Sequence, residues 1–269
     1  MFMSKFKEFL GIDISKVFFD VMDSSENHYQ FPNNLSGFEE FGKLLNECSH
    51  CVMEVTGCYY QCLATWLHSK KIAVSVVNPL TVKRFIQMRL KGSKTDKLDA
   101  QMIRKYGEAE NPALWNPPSD LIIEATELHR TADLYIKHRT ALKNKLQALE
   151  AKDITKSLVV SSIKRQIKNL GKEIEELNQK LEAVIKDYHP DLLARLCSIP
   201  GIGRKTAITL IVLTHSFEKS ENSRQLSSYC GLNPVIQESG SSIRGRSRIS
   251  KAGNREVRKS IYMCSLAAI

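Results

Sequence analysis

Four carboxylates and one serine-rich loop are the parts of this 269-residue chain whose residue types suit covalent chemistry. Asp13 sits inside the apolar run Phe9 to Ile14, where a charge is costly without a partner. Glu54 closes a second apolar run, Cys51 to Val55, just before Gly57. Asp96 and Asp99 belong to Lys94-Thr95-Asp96-Lys97-Leu98-Asp99-Ala100, and their i, i+3 spacing puts both on one face of a helix start. Carboxylate oxygens are the hard ligands that Mg²⁺ takes in octahedral geometry, and phosphate oxygens can complete its shell. Two such ions about 4 Å apart can activate an attacking oxygen and stabilise a leaving one. Lys91, Lys94 and Lys97 would hold a phosphate backbone beside them. Taken singly the acids have plainer readings: Asp13 could begin a turn, Glu54 pair with a lysine, Asp96 cap a helix. Their combination on these elements is the more specific signal.

The serine-rich loop runs from Gln237 to Ser250 and holds Ser239, Ser241, Ser242 and Ser247 among Arg244, Arg246 and Arg248. A serine beside Gly240 in such a loop can reach a phosphate, and a metal can lower its hydroxyl pKa. Spacing does not separate the serines, and a solvated linker has the same composition. A third element, Ile199-Pro200-Gly201-Ile202-Gly203, is similar to a helix-hairpin-helix turn. Small residues such as Gly201 and Gly203 let backbone N–H groups approach a phosphate, and Arg204 and Lys205 add charge. Pro-Gly turns also join ordinary helices. The segment is not a P-loop, because no Gly-Lys-Thr run follows. Cys48, Cys51, Cys58 and Cys62 resemble a zinc tetrad, but the gap of six residues between the pairs is short and reads as a strand end, so packing explains them better.

The elements that must position these groups fall into three regions. Residues 1–115 alternate strand and helix signals: strands at Phe9 to Ile14, Val17 to Met22, His28 to Phe31, Cys51 to Val55 and Ile72 to Val77, with helices at Leu35 to Leu45, Tyr59 to His68 and Leu98 to Tyr106. Such an order predicts a mixed sheet with helices on its faces. Residues 116–188 carry heptad spacing: Leu128, Tyr135, Leu142 and Leu149, then Ile163, Ile167, Leu170, Ile174, Leu177 and Leu181. We read an antiparallel helical hairpin or a dimerising coiled coil, and heptads do not choose between them. Residues 189–269 are mainly helical around the glycine turn and the serine loop. The last stretch, Val257 to Ile269, ends without a glycine cap or polar tail and reads as C-terminally incomplete.

Charge points to a polyanionic partner. The formal net charge is +10. His189 to Ile269 has 12 Lys/Arg against 5 Asp/Glu, or +7, and Thr81 to Lys105 has 8 against 2, or +6. Both blocks adjoin candidate reactive groups, which favours counterion release from nucleic acid over solubility alone. No run approaches the ~20 apolar residues of a membrane span, and Met1 to Leu10 lacks a signal-peptide core. A cytoplasmic, nucleoid-associated protein with no membrane partner is expected, with its seven cysteines reduced.

Gly11-Ile12-Asp13-Ile14-Ser15-Lys16, Met53-Glu54-Val55-Thr56-Gly57 and the Lys94 to Ala100 segment resemble the RuvC-like, ribonuclease-H-fold domain of a family of insertion-sequence transposases that includes the Piv/MooV type of DNA invertase. The DEDD tetrad of that family falls on Asp13, Glu54, Asp96 and Asp99. Gly231-Leu232-Asn233-Pro234, Ser239-Gly240 and Ile249-Ser250-Lys251-Ala252-Gly253-Asn254 followed by Arg258 are similar to the family's second domain, so the resemblance spans nearly the whole chain. It implies an α/β RuvC-like domain, a coiled-coil hairpin and a mainly α transposase domain. It implies Mg²⁺ as cofactor, two ions with Mn²⁺ as a substitute, and a serine nucleophile that motif position assigns to Ser239. It implies donor and target DNA and a structured guide RNA, and catalysis split between two domains suggests a homo-oligomer, dimer or tetramer. Lys251 and Arg258 join the basic residues expected to contact nucleic acid. The rival readings are a resolvase-type nuclease that needs no serine and a non-catalytic nucleic-acid-binding remnant.

Overall fold

The computed structural model describes residues 8–55, 57–89, 95–218, 220, 222–235, 238–239, 243–244 and 247–269. They form two compact units, Met1–Pro117 and Pro118–Ile269.

The first unit is built on a five-stranded mixed sheet in the order β3-β2-β1-β4-β5. Strands β1 (Glu8–Ile14), β2 (Phe18–Met22) and β3 (His28–Pro32) form an antiparallel meander, while β4 (Ser49–Glu54) and β5 (Ala73–Val77) add in parallel to the other side of β1. Parallel addition needs crossovers, and these carry α1 (Leu35–Gly42) and α2 (Tyr60–Ser69). Because side chains alternate, the two faces have different contents. One face presents Leu10, Ile12, Ile14, Phe19, Cys51 and Met53 to α1 and α2, in a core with Phe38, Phe41 and Leu67. Phe19 lies edge-on to Phe41 with ring centroids 5.5 Å apart.

The opposite face carries Phe9, Gly11, Asp13, Val52 and Glu54. Two further helices cover it: α3 (Pro79–Met88) and α4 (Asp96–Glu110), through Phe9, Val52, Val82 and Ile103. Two glycines let α4 lie close. A Cβ on Gly11 would meet the Ala100 carbonyl oxygen at 2.1 Å and the Arg104 nitrogen at 2.3 Å, and one on Gly107 would meet Val52 at 2.7 Å. The helix α3 begins where the sequence suggests only a strand stop. Asn78 is its N-cap, accepting from the Leu80 N–H at 2.8 Å, and Pro79 occupies the first turn, where it lacks no needed donor.

The second unit contains two 31-residue helices, α5 (Asp120–Glu150) and α6 (Leu158–Tyr188), opened by Ser119 and Ser157 as side-chain caps. They run antiparallel, with Ser119 bonded to Tyr188 at 3.0 Å and Glu124 facing Lys180 at 3.5 Å. Ile174 and Leu181 of the heptad series are buried. Short helices α7 (Pro190–Cys197) and α8 (Arg204–Leu213) close one core with Ala125, Leu181, Ile185, Leu193, Ile208 and Ile211. A second core, Leu210, Cys230 and Val257, ties α8 to α9 (Ser223–Cys230) and α10 (Arg255–Ala267). Between α9 and α10 stand two short ladders: β6 (Pro234–Val235) with β9 (Arg248–Ile249), and β7 (Glu238–Ser239) with β8 (Ile243–Arg244). Among the described residues no helix is long and apolar enough to cross a membrane.

Candidate functional site

The sheet sets two of the four acids at one end of one face, and α4 brings the other two toward them. Asp13 lies on β1, one residue short of its end, and is half-buried. Glu54 ends the adjacent parallel strand β4; the register Ile12↔Met53 places it next to Asp13 on the same face. Asp96 and Asp99 occupy the first turn of α4, whose N-cap Thr95 accepts from the Leu98 N–H at 3.2 Å. The close seat of α4 over Gly11, two residues before Asp13, carries that turn toward the strand end. Electrostatics record the convergence. The Asp13 carboxyl is pushed up to about 6, first by burial and then by Asp99, Asp96, Glu54 and Asp20. A carboxylate surrounded by like charges favours a cation as a compensating partner.

Asp20 is a fifth acid that the sequence alone does not single out. It is paired directly across from Asp13 in the antiparallel register, 7% exposed, and bonded to the His28 Nε2 at 2.8 Å and the Gln30 amide nitrogen at 3.2 Å. A signal is nonetheless present: Phe18-Phe19-Asp20-Val21-Met22 sets an acid inside an apolar strand, as does the run around Asp13. On the same face Arg104 is buried and reaches Glu108 at 2.5 Å and Glu26 at 3.4 Å. Those partners are acids outside the tetrad, so Arg104 anchors α4 to the β2–β3 turn.

Among the described residues no group of three His, Cys, Asp or Glu side chains is drawn together tightly enough to cage an ion by itself. The donor set nevertheless fits a hard divalent cation: every member is a carboxylate, and their shared negative charge weighs on Asp13. Lys97 stands exposed beside them on α4; Lys91 and Lys94 lie outside the described residues.

The other candidates lie in the second unit. Ser239 is on β7, its backbone paired with Ile243 of β8, and Arg244 follows on β8. Arg248 is exposed on β9 and Ser247 is exposed before it; Ser241, Ser242 and Arg246 lie outside the described residues. Gly201 has φ +82°, and a Cβ there would meet the Cys264 carbonyl oxygen at 2.3 Å, so this turn is packed against α10. Gly203 is the N-cap of α8 and faces open space. Arg204 pairs with Glu182 at 2.9 Å, while Lys205 is exposed. Both line a groove of about 870 Å³ between α5, α6, α8 and α10, together with Arg255 and Lys259 and the acids Asp133 and Glu256. Lys251 is exposed, with φ +55°. Arg258 turns inward: its guanidinium donates to the Cys230 carbonyl at 2.7 Å and the Lys251 carbonyl at 3.4 Å.

Two family models match the chain: a DEDD transposase model of the IS110 type over residues 10–149, and the transposase IS116/IS110/IS902 family over residues 193–269. The pilin gene-inverting protein of Moraxella lacunata is 33% identical over 96% of this chain and 81% of its own length. That of Moraxella bovis is also 33% identical, over the same shares. The transposase for insertion sequence element IS1111A of Coxiella burnetii is 25% identical over 91% of this chain and 73% of its own length. The chain belongs to the IS110/IS116/IS902 family of transposases.

Proposed function

We propose that this chain cuts and rejoins DNA through a serine ester, with the DEDD acids of a RuvC-like first unit as its metal ligands. The convergence of Glu54, Asp96 and Asp99 on Asp13 is the observation that carries the reading. The strand order, three antiparallel strands followed by two parallel ones, supports the RuvC-like assignment.

Asp13, Glu54, Asp96 and Asp99 would hold Mg²⁺, with Mn²⁺ a chemical substitute and room in the donor count for two ions. Bound there, such an ion supplies Lewis acidity, offsetting charge on phosphate oxygens and lowering the pKa of an attacking hydroxyl. Ser239 supplies that hydroxyl. Its Oγ forms a bond to a DNA phosphorus as the bond from phosphorus to a deoxyribose oxygen breaks, and the proton passes from the serine to the leaving oxygen by way of solvent. A deoxyribose hydroxyl of the partner strand then attacks the same phosphorus, and the serine leaves with a proton restored. Bond number and charge balance over the two steps, so no external energy source is required. Gly203, Arg204 and Lys205 at the start of α8, with Lys97, Arg244, Arg248 and Lys251, would bind phosphates of donor and target DNA. Gly201 shapes their turn.

A structured guide RNA is the second polyanion that family membership suggests, and the basic blocks suit either. A dimer or tetramer is the expected assembly, although α5 and α6 pack on each other within one chain, so their heptads do not argue for it. The nucleoid is the expected location. Purified protein incubated with junction DNA from its encoding element is expected to cleave only with Mg²⁺ or Mn²⁺, and Asp13→Ala, Glu54→Ala and Asp99→Ala are each expected to abolish cleavage. Cleavage at the wild-type rate in Asp13→Ala would refute the assignment.

A further inference from the structure

The two ends of the serine segment, Gly231-Leu232-Asn233-Pro234 before it and Ser250 to Asn254 after it, lie side by side and antiparallel. The Ser250 N–H donates to the Asn233 carbonyl at 2.8 Å, and the Lys251 N–H to the Gly231 carbonyl at 3.0 Å. The Asn254 N–H donates to the Tyr229 carbonyl at 2.7 Å. Glycine is demanded on both sides of this pairing. Gly231 has φ +66°, and a Cβ on it would meet Arg258 at 2.8 Å; one on Gly253 would meet the Tyr229 carbonyl oxygen at 2.4 Å and the Gly231 nitrogen at 2.5 Å.

Arg258 reaches both paired ends. One guanidinium nitrogen donates to Cys230 on the incoming side and to Lys251 on the outgoing one. Arg258 projects from α10, and Asn254 caps that helix by accepting from the Glu256 and Val257 N–H groups. The Asn254 amide also donates to the Tyr229 hydroxyl at 3.1 Å, which donates in turn to the Leu213 carbonyl at the end of α8. Both ends of the segment are thereby fixed to three helices of the second unit.

We infer that Arg258 is a positioning residue that clamps the base of the Ser239 hairpin through the Cys230 and Lys251 carbonyls, and not a contact to nucleic acid. The inference rests on the reading of Ser239 as nucleophile. The Nη1 hydrogens of Arg258 are committed to two backbone carbonyls, whereas Arg248 and Lys251 are exposed. Displacing a nucleophile by about 1 Å is enough to cost roughly a hundredfold in rate.

The test separates binding from chemistry in the full chain. Arg258→Ala is compared with wild type for affinity and salt dependence toward a labelled random-sequence DNA duplex, and for covalent protein–DNA adduct on labelled junction DNA. Clamping predicts unchanged affinity and an unchanged salt slope, a fall in adduct yield of about a hundredfold, and faster amide exchange at Ser250 and Lys251. A phosphate contact predicts weaker binding, with the slope reduced by about one ion, and would overturn the inference. Arg258→Lys keeps the charge but not the reach or fork of the guanidinium. If the alanine variant does not fold, clamping predicts that the lysine variant binds DNA normally and forms less adduct; undiminished adduct would overturn it. Ser239→Ala serves as the separate control. Adduct that survives Ser239→Ala removes the nucleophile reading itself, while adduct lost in Ser239→Ala but intact in Arg258→Ala removes only the clamp.

Discussion

Asp13 shows at the scale of a single residue how much charge the first unit concentrates at one strand end. Its carboxyl is held up to about 6 by burial and by four neighbouring acids, so ionising it at neutral pH works against folding. In metal-free protein at neutral pH, Asp13→Asn is therefore expected to raise the melting temperature. The same substitution is expected to erase the further rise that Mg²⁺ gives the wild type, which a thermal melt with and without chelator measures. His50 makes a contrasting prediction. It is fully buried on β4, its Nε2 is 2.7 Å from the Ser75 hydroxyl, and burial lowers it to about 4. A histidine that resists protonation when folded contributes stability that is complete above its unfolded value of about 6.5 and lost as pH falls toward 4. His50→Gln should flatten the acid limb of the stability profile between those values in a denaturant titration series. The grouping of Asp13, Glu54, Asp96 and Asp99 was legible in the sequence from a motif and, for Asp13 and Glu54, from an apolar context. Asp20 shares that apolar context but was not singled out, because its place opposite Asp13 depends on a cross-strand register that no linear spacing displays.

At the scale of elements, close packing of α4 on β1 is what makes the acids a group. Gly11→Ala would drive a methyl into the backbone of α4 at Ala100 and Arg104. Overpacking of this kind costs about 1–3 kcal/mol or more, and lifting α4 should weaken Mg²⁺ binding as well, measurable by calorimetry. A glycine with no such duty gives the opposite sign. Gly171 lies inside α6, and a methyl added there would meet open space, so Gly171→Ala should raise stability by about 0.5–1 kcal/mol in chemical denaturation. The strands β1 to β5 and the long helices were readable from residue type and period. The helix α3 was hidden because Asn78-Pro79 serves equally as a strand stop and as a helix start. The ladders β6 to β9 were hidden because each strand is two residues long, and the close approach of Gly231 and Gly253 that flanks β6 and β9 is tertiary in origin.

For the whole molecule, each unit has cores of its own, one pair built on the sheet and the other on the helices. Separately expressed 1–117 and 118–269 are thus expected to unfold cooperatively. Mg²⁺ should stabilise only the first, and DNA binding should persist in the second with strong salt dependence. The proposed chemistry joins them as one enzyme in which the acids and the serine are both indispensable. The most direct test is to incubate the full chain with Mg²⁺, its copurifying RNA and labelled junction DNA, denature it, and ask whether the label migrates with the protein. A serine ester predicts a labelled protein band in the wild type that disappears in both Ser239→Ala and Asp13→Ala. Free cleaved DNA that requires Asp13 but not Ser239 would contradict it and mark a hydrolytic nuclease instead.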